Sequence, residues 1–525
     1  MLAVLLILAL NQLHARKNVY TPVTSLAEAL AKAKSSDFDA FDPKKAPKEW
    51  GPDIAVSHKV NHLPFLPFNY SHAMYAGTVS VNEPLLNNNG SLFYWLVESQ
   101  NSPHTSPLLI WLNGGPGCSS TEGLLIENGP FLSSESGLGL QLNPHSWNTR
   151  ANVLYIDQPV GVGFSSVKDG AYAMSQKEID IMFMAFLRRF YSMFPHYSKV
   201  PLYISGESYA GRYIPRFAAA VLRDTHFPAR LEGVLIGNGW TFPIVQSRTL
   251  PAYAFAHGII SKEQKDELDE VVRECELAYN RDPYSTHTYN VCELIQTAIP
   301  RMSGSSQIGT MNVYDIRLYD TSGGADWPWR SSGEVAFLNN PLVRKALHVE
   351  TSRTWVECSD LIGQQLTHED MWPTVDEFLY LLPRTQVLLY NGQFDFICNH
   401  FGVENFLEEI EWVGKSNFSN PSRRGLWAVD SQLAGYAKQG GNLTYLLFLG
   451  GSHMVPMDKR PESLDMLTRF FAKQSFFDIV EAPSHFFSKG KAPAKAAESL
   501  LVQTAAQTAG QGEGEGGGGG GGEQE

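Results

Sequence analysis

Several short apolar runs stand out along the chain, each bounded by turn residues. They cover 108–112, 151–157, 202–205, 231–237, 387–390 and 445–449. The continuous run at 108–112 is the pattern of a strand buried on both faces, not of one with a wet side, and the other runs are read as core strands beside it. Upstream, 77–81 and 92–97 flank the Asn-rich turn at 87–90, a hairpin signal. Between the runs, 175–194 carries apolar residues at helical spacing, and a helix follows the run at 202–205, with Pro215 expected to break it. Strands alternating with helices predict an α/β fold with a mostly parallel sheet covered on both faces. From about 240 to 340 the strand signal fades. Residues 262–277 are charged, with Leu268, Val271, Val272 and Cys275 at helical spacing. This segment reads as a helical insertion, a cap over whatever site the sheet carries. The sheet resumes near 385, and 467–477 is expected as a closing helix.

Candidate chemistry lies where these strands end. The run at 202–205 leads into Gly206-Glu207-Ser208-Tyr209-Ala210-Gly211, the strand–turn–helix pattern G-x-S-x-G with Ala210 in the last place. Alone, such a pentapeptide is usually a plain turn. A serine hydroxyl is a weak nucleophile and needs a base within reach and a third group to orient that base. In α/β-hydrolase folds these follow in the order Ser, acid, His, each just past a strand. Asp395, after the strand at 387–390, and His453, after that at 445–449, meet both conditions. The glycine turn Asn113-Gly114-Gly115-Pro116-Gly117 ends another strand upstream, where this fold draws one oxyanion donor. The N–H of Tyr209 would be the other. The Lys-Ser/Thr ending of a phosphate loop is absent.

Length and charge narrow the classes. The 525 residues carry a net charge of −13, and no basic stripe or reader motif points to nucleic acid. No His-Glu-x-x-His or Cys/His cluster suggests a metal, and no cofactor is expected. Residues 1–10 are almost wholly aliphatic, too short to span a bilayer, and resemble the apolar part of a signal peptide cleaved after Ala15. The basic flank that normally precedes such a region is missing, which would fit a start further upstream. Sequons at Asn69, Asn89, Asn417 and Asn442 agree with passage through the secretory pathway. Of five cysteines, Cys275 and Cys292 form the natural local bridge, and Cys118 and Cys358 would then pair at long range. Cys398, three residues after Asp395, would stay a free thiol beside the cleft. The expected organisation is a signal peptide over 1–15, an N-terminal extension over 16–60, a first core part over 61–240 and the insertion over 241–340. A second core part over 341–487 and a disordered Gly/Glu-rich tail over 488–525 complete it.

Taken together, residues 111–120, 206–211, Asn391-Gly392 before Asp395, and His453-Met454-Val455-Pro456 resemble the serine carboxypeptidase family. The resemblance runs from about 60 to 475. Residues 61–64, 71–77 and 434–436 point within it to the fungal pheromone-processing branch, which trims basic residues left by kexin cleavage. The resemblance implies Ser208 as nucleophile, His453 as general acid/base, Asp395 as its orienter, and the N–H groups of Gly115 and Tyr209 as oxyanion hole. It implies that Asn113, Glu127 and Glu207, supported by Trp111, bind the substrate's terminal carboxylate. Met454 joins the substrate site, and Glu122 lies in the pocket for the departing residue. Glutamates can hold an anion if crowding and burial leave one of them protonated, so that it donates. The implied partner is a peptide or protein C-terminus, ending in Lys or Arg if the branch assignment holds. That branch usually carries an acidic linker and a transmembrane anchor. No apolar run of spanning length exists here, so trans-Golgi residence rests on the resemblance alone. A broad-specificity secreted or vacuolar carboxypeptidase, an acyltransferase or esterase on the same fold, and a catalytically inactive binding protein remain as alternatives. The oligomeric state is left open.

Overall fold

A computed structural model of the protein describes residues 51–480 apart from 84–89, 135–136, 168–169, 305–308, 323, 325–326, 329–330, 350, 421–423 and 478. The expected signal peptide, most of the N-terminal extension, the sequon at Asn89 and the Gly/Glu-rich tail lie outside the described residues. The central sheet comprises β1 (Met74–Ser80), β2 (Gly90–Val97), β3 (Leu108–Leu112), β4 (Asn152–Asp157), β5 (Leu202–Glu207) and β6 (Leu231–Gly237). It continues with β7 (Gln386–Gly392), β8 (Arg424–Val429), β9 (Gln432–Gly440) and β10 (Leu443–Phe448). Their spatial order is β1-β2-β4-β3-β5-β6-β7-β10-β9-β8. The run from β4 to β10 is parallel, with Ile110 paired to both Leu154 and Ile204. Antiparallel hairpins finish both ends.

The apolar runs have their physical reason here. Every residue of β3, β4 and β5 is buried, because helices cover both faces. Leu108, Ile110 and Leu112 share one core with Phe183 and Phe186, while Leu109 and Trp111 belong to the other with Trp147 and Leu467. Helix α1 (Gln176–Met193) starts where the Ser175 side chain accepts the Glu178 N–H. Phe183 of α1 stacks on Phe217 of α2 (Ala210–Arg223) with ring centroids 3.8 Å apart.

Helix α2 runs through Pro215 without breaking, contrary to expectation. A proline deprives the carbonyl four residues back of its helical partner. That carbonyl, Gly211, instead accepts hydroxyls from Thr241 and Thr374, both at 3.3 Å. The segment after β6 is helical, with α3 (Lys262–Arg281) and α4 (Thr286–Met302) joined by the Cys275–Cys292 disulfide. The closing helix, α5 (Arg460–Ala472), starts and stops earlier than 467–477. A proline occupies its first turn, and Lys473 at φ 54° ends it in the left-handed region. No helix among the described residues is long and apolar enough to cross a membrane.

Because Phe217 is fully buried against α1, Phe217→Ala should cost about 3–5 kcal/mol of stability. Denaturant unfolding of the two proteins measures this, and an unchanged midpoint would contradict the packing described.

Candidate active site

Strand β5 ends at Glu207 and α2 starts at Ala210, so Ser208 and Tyr209 make the whole turn. Ser208 sits at φ 60°, a region few non-glycine residues occupy. The turn is held by its own backbone: Ser208 N–H donates to Gly237 at 3.0 Å, and its carbonyl accepts Gly211 at 2.9 Å and Trp240 at 2.9 Å. Within 202–215 it is the one residue that is not buried. The glycine turn after β3 presses against it. A Cβ on Gly114 would lie 2.5 Å from the Tyr209 nitrogen and 2.7 Å from Ser208 Cβ, and Gly115 follows at φ 106°. The candidate oxyanion donors, Gly115 and Tyr209, are thus brought to one place by an approach that a side chain would block.

The Asp395 carboxylate is fully buried and accepts His453 Nδ1–H at 2.9 Å through Oδ2. Asn238 Nδ2 donates to the same oxygen at 2.7 Å, and the Cys398 N–H donates to Oδ1 at 3.3 Å. The His453 N–H bonds the Tyr314 carbonyl at 2.9 Å, and the two rings lie 5.1 Å apart. Cys398 links this pair to the serine. Its sulfur lies within 4.8 Å of the Asp395 and His453 side-chain ligand atoms, and the Ser208 side chain is among the groups that act on its thiol. Asp395 and His453, from the turns after β7 and β10, therefore meet, with Cys398 beside them and Ser208 on the turn after β5.

Beside them stands a buried polar platform. Trp111 Nε1 donates to Asn113 Oδ1 at 2.7 Å, as does the Gly123 N–H at 3.2 Å. With its oxygen occupied, Asn113 points its amide at Glu207 Oε1, 3.2 Å, and Glu127 Oε1, 3.4 Å. Both carboxyls are buried, and each keeps an oxygen without a partner. Burial pushes Glu127 up to about 7, against hydrogen bonds from Glu207 and Asn113. Burial, and then the Glu127 charge, push Glu207 well above the carboxylate range. Crowding and burial thus favour the neutral form of both carboxyls, so the pair holds a proton more readily than free carboxylates do.

The serine carboxypeptidase family profile matches residues 64–473. The chain belongs to the serine carboxypeptidase family. It is 37% identical over 439 residues to serine carboxypeptidase S10 family member 2 of Dictyostelium discoideum, covering 78% of this chain and 76% of that one. It is 38% identical over 434 residues to the pheromone-processing carboxypeptidase KEX1 of Fusarium vanettenii, covering 79% and 69%. Among solved structures it superposes on Kex1(Δ)p, a prohormone-processing carboxypeptidase from Saccharomyces cerevisiae, with a TM-score of 0.73 at 30% identity. That match covers 80% of this chain and 96% of the other. The α/β-hydrolase fold and the serine-type carboxypeptidase activity expected of the sequence follow from this membership.

The remaining expected residues of this carboxypeptidase lie as follows. Glu122 is 2% exposed with Oε1 unpartnered. Burial, then Glu357 and Glu334, push it well above the carboxylate range. Glu357 and Glu334 carried no signal of their own. Glu357 arrives through the Cys118–Cys358 disulfide, which ties residues 240 apart and is flanked by Ser119 N–H to Glu357 O at 2.8 Å. Glu334 lies on the helix Ser331–Leu338, is fully buried, and has neither carboxyl oxygen partnered. Tyr314 faces the same group and stacks on Trp327 with centroids 5.5 Å apart. Met454, 7% exposed, follows His453 directly. Cys398 is free and buried. Burial and the Asp395 charge raise its thiol well above the usual range, so it is not a ready nucleophile. Asn69, Asn417 and Asn442 are all exposed.

A mercurial should therefore titrate one thiol in the intact protein and lower activity partially. Titration of none would overturn the assignment of Cys398 as free.

Proposed function

We propose that this carboxypeptidase releases the last residue of a peptide through an acyl-enzyme, with preference for C-terminal Lys or Arg. The observation that carries the reading is the buried Asn113–Glu127–Glu207 platform standing beside Ser208, Asp395 and His453. An esterase or acyltransferase has no use for a site that donates protons to a terminal carboxylate. Ser208 Oγ attacks the scissile carbonyl carbon as His453 takes its proton. The N–H groups of Gly115 and Tyr209 stabilise the oxyanion, a contribution typically of about 10²–10³ in rate per donor. The C–N bond breaks, and His453 returns the proton to the leaving amine. Water then attacks the ester with the same base, and Ser208 regains its hydrogen.

The charge at the departing residue's end supports the basic preference. Burial and the neighbouring Glu357 and Glu334 carboxyls press on Glu122, and Glu122 Oε1 and both Glu334 oxygens have no hydrogen-bond partner. An ammonium or guanidinium brought by the substrate would relieve that repulsion and give Glu122 a partner. The two disulfides and the exposed sequons support passage through an oxidising, secretory compartment. Trimming of precursor peptides in the trans-Golgi is the finer form of the same reading.

Two outcomes test it. Because Glu127 is pushed up to about 7 while Glu207 is held well above the carboxylate range, the platform gains negative charge and loses a donor as pH rises past about 7. KM for a free-acid peptide should climb by up to about tenfold per pH unit above 7, while KM for the corresponding amide stays level. Parallel curves would remove the platform's assigned role. In a release assay on peptides differing only at the last residue, Glu122→Gln should lower kcat/KM for Lys and Arg by roughly 2 kcal/mol or more. Leu should be spared, and equal losses on both would reject the pocket.

A further inference from the structure

We infer that Asn238 is the positioning residue of this site, holding Asp395 against His453 and tying both to the nucleophile turn. Its place in the fold is unusual. The tetrapeptide 237–240 leaves the end of β6 and bonds both to the serine turn and to the acid. The Gly237 carbonyl accepts the Ser208 N–H, and the Trp240 N–H donates to the Ser208 carbonyl. Both sides of the serine's backbone are thus clamped by the residues that flank Asn238. Between those clamps, Asn238 donates its own N–H to the Tyr390 carbonyl of β7 at 2.8 Å.

The side chain then spans to the acid. Nδ2 donates to Asp395 Oδ2 at 2.7 Å, and Oδ1 accepts the Gly392 N–H at 3.3 Å. These partners fix which end of the amide is which: flipped, it would set acceptor against carboxylate and donor against donor. Asn238 and Asp395 are both fully buried, so no water substitutes for either bond. The oxygen that Asn238 reaches is the one that receives His453 Nδ1–H, and so the amide decides where that oxygen points. Asn238 also sits at φ 44°, a conformation that asparagine tolerates better than most residues and that stores strain when held. A carboxylate that swings by an ångström carries the imidazole with it, and misplacement on that scale can cost about 10²-fold in rate.

The inference rests on Ser208, Asp395 and His453 being the catalytic groups, which Ser208→Ala tests separately through loss of fluorophosphonate labelling. Asn238→Asp keeps the shape and the Gly392 acceptor but replaces the donor by an ionisable oxygen. Asn238→Gly keeps the left-handed backbone and removes the side chain. The groups that face this position or the carboxylate it touches are Asp395, His453, Cys398, Glu207, Tyr253 and Tyr314. Two neighbouring carboxyls share a proton more readily as pH falls. Asn238→Asp should therefore lower kcat by about 10- to 100-fold at neutral pH with KM nearly unchanged, and recover toward wild type as pH falls, when the new acid can donate. Asn238→Gly should show the same loss without recovery. A kcat within twofold of wild type in Asn238→Asp overturns the inference. So does a loss that is independent of pH and matched by a lowered unfolding temperature, or one that lies in KM. If Ser208→Ala still turns over peptide, the catalytic assignment itself fails, whatever Asn238 does.

Discussion

A carboxyl group buried without a cation must keep its proton or collect hydrogen-bond donors, because its bare charge costs several kcal/mol away from water. This chain buries Glu122, Glu127, Glu207, Glu334 and Asp395 around one cleft, four of them pushed toward the neutral form by that burial. Asp395 is handled the other way. Three donors converge on it from Asn238, His453 and the Cys398 backbone, so its burial is matched by hydrogen bonds. One cleft thus holds two kinds of buried acid: crowded carboxyls pushed toward the neutral form, and one carboxylate met by donors that orients an imidazole.

The parallel sheet makes this possible. Strands that run the same way bring their C-terminal turns to one edge, and with helices on both faces no water reaches that edge from below. Ser208, Asp395 and His453 come from three such turns, and Asn113 and Asn238 from two more. The backbone there is irregular, so its N–H and C=O groups lack ladder partners. Those groups clamp Ser208, and buried asparagines fill the remaining gaps because each offers both a donor and an acceptor.

Much of this was legible in the chain. Apolar runs marked the strands since burial on both faces removes the alternation that a half-wet strand shows, and the order of Ser208, Asp395 and His453 follows the order of the strands that carry them. The proline in α2 was misread because its effect depends on Thr241 and Thr374, distant hydroxyls that accept the cost of the missing bond. Glu334, Glu357 and Tyr314 had no local signature. They reach the site from the segment that follows β6 and through a disulfide between residues 240 apart. Asn238 did leave a trace. Three core strands end in Asn-Gly, at 113–114, 238–239 and 391–392, and all three asparagines are buried at the cleft. As a dipeptide this reads only as a turn; its recurrence after successive buried strands is the part that carries information.

Strain completes the account. Ser208 and Asn238 both occupy left-handed backbone, at φ 60° and 44°, just past the ends of adjacent strands β5 and β6, and the residues around Asn238, Gly237 and Trp240, pin the Ser208 backbone. Neither conformation would persist alone, since each costs on the order of 1–3 kcal/mol. Held together, they form one rigid junction in which the hydroxyl and the amide cannot move independently. The free energy comes from the packed cores on either side of the sheet, where Phe183, Phe217, Trp111 and Trp147 are wholly buried. Core packing and site geometry are therefore a single system: a loosened core would release the serine and the asparagine together, before the helices themselves came apart.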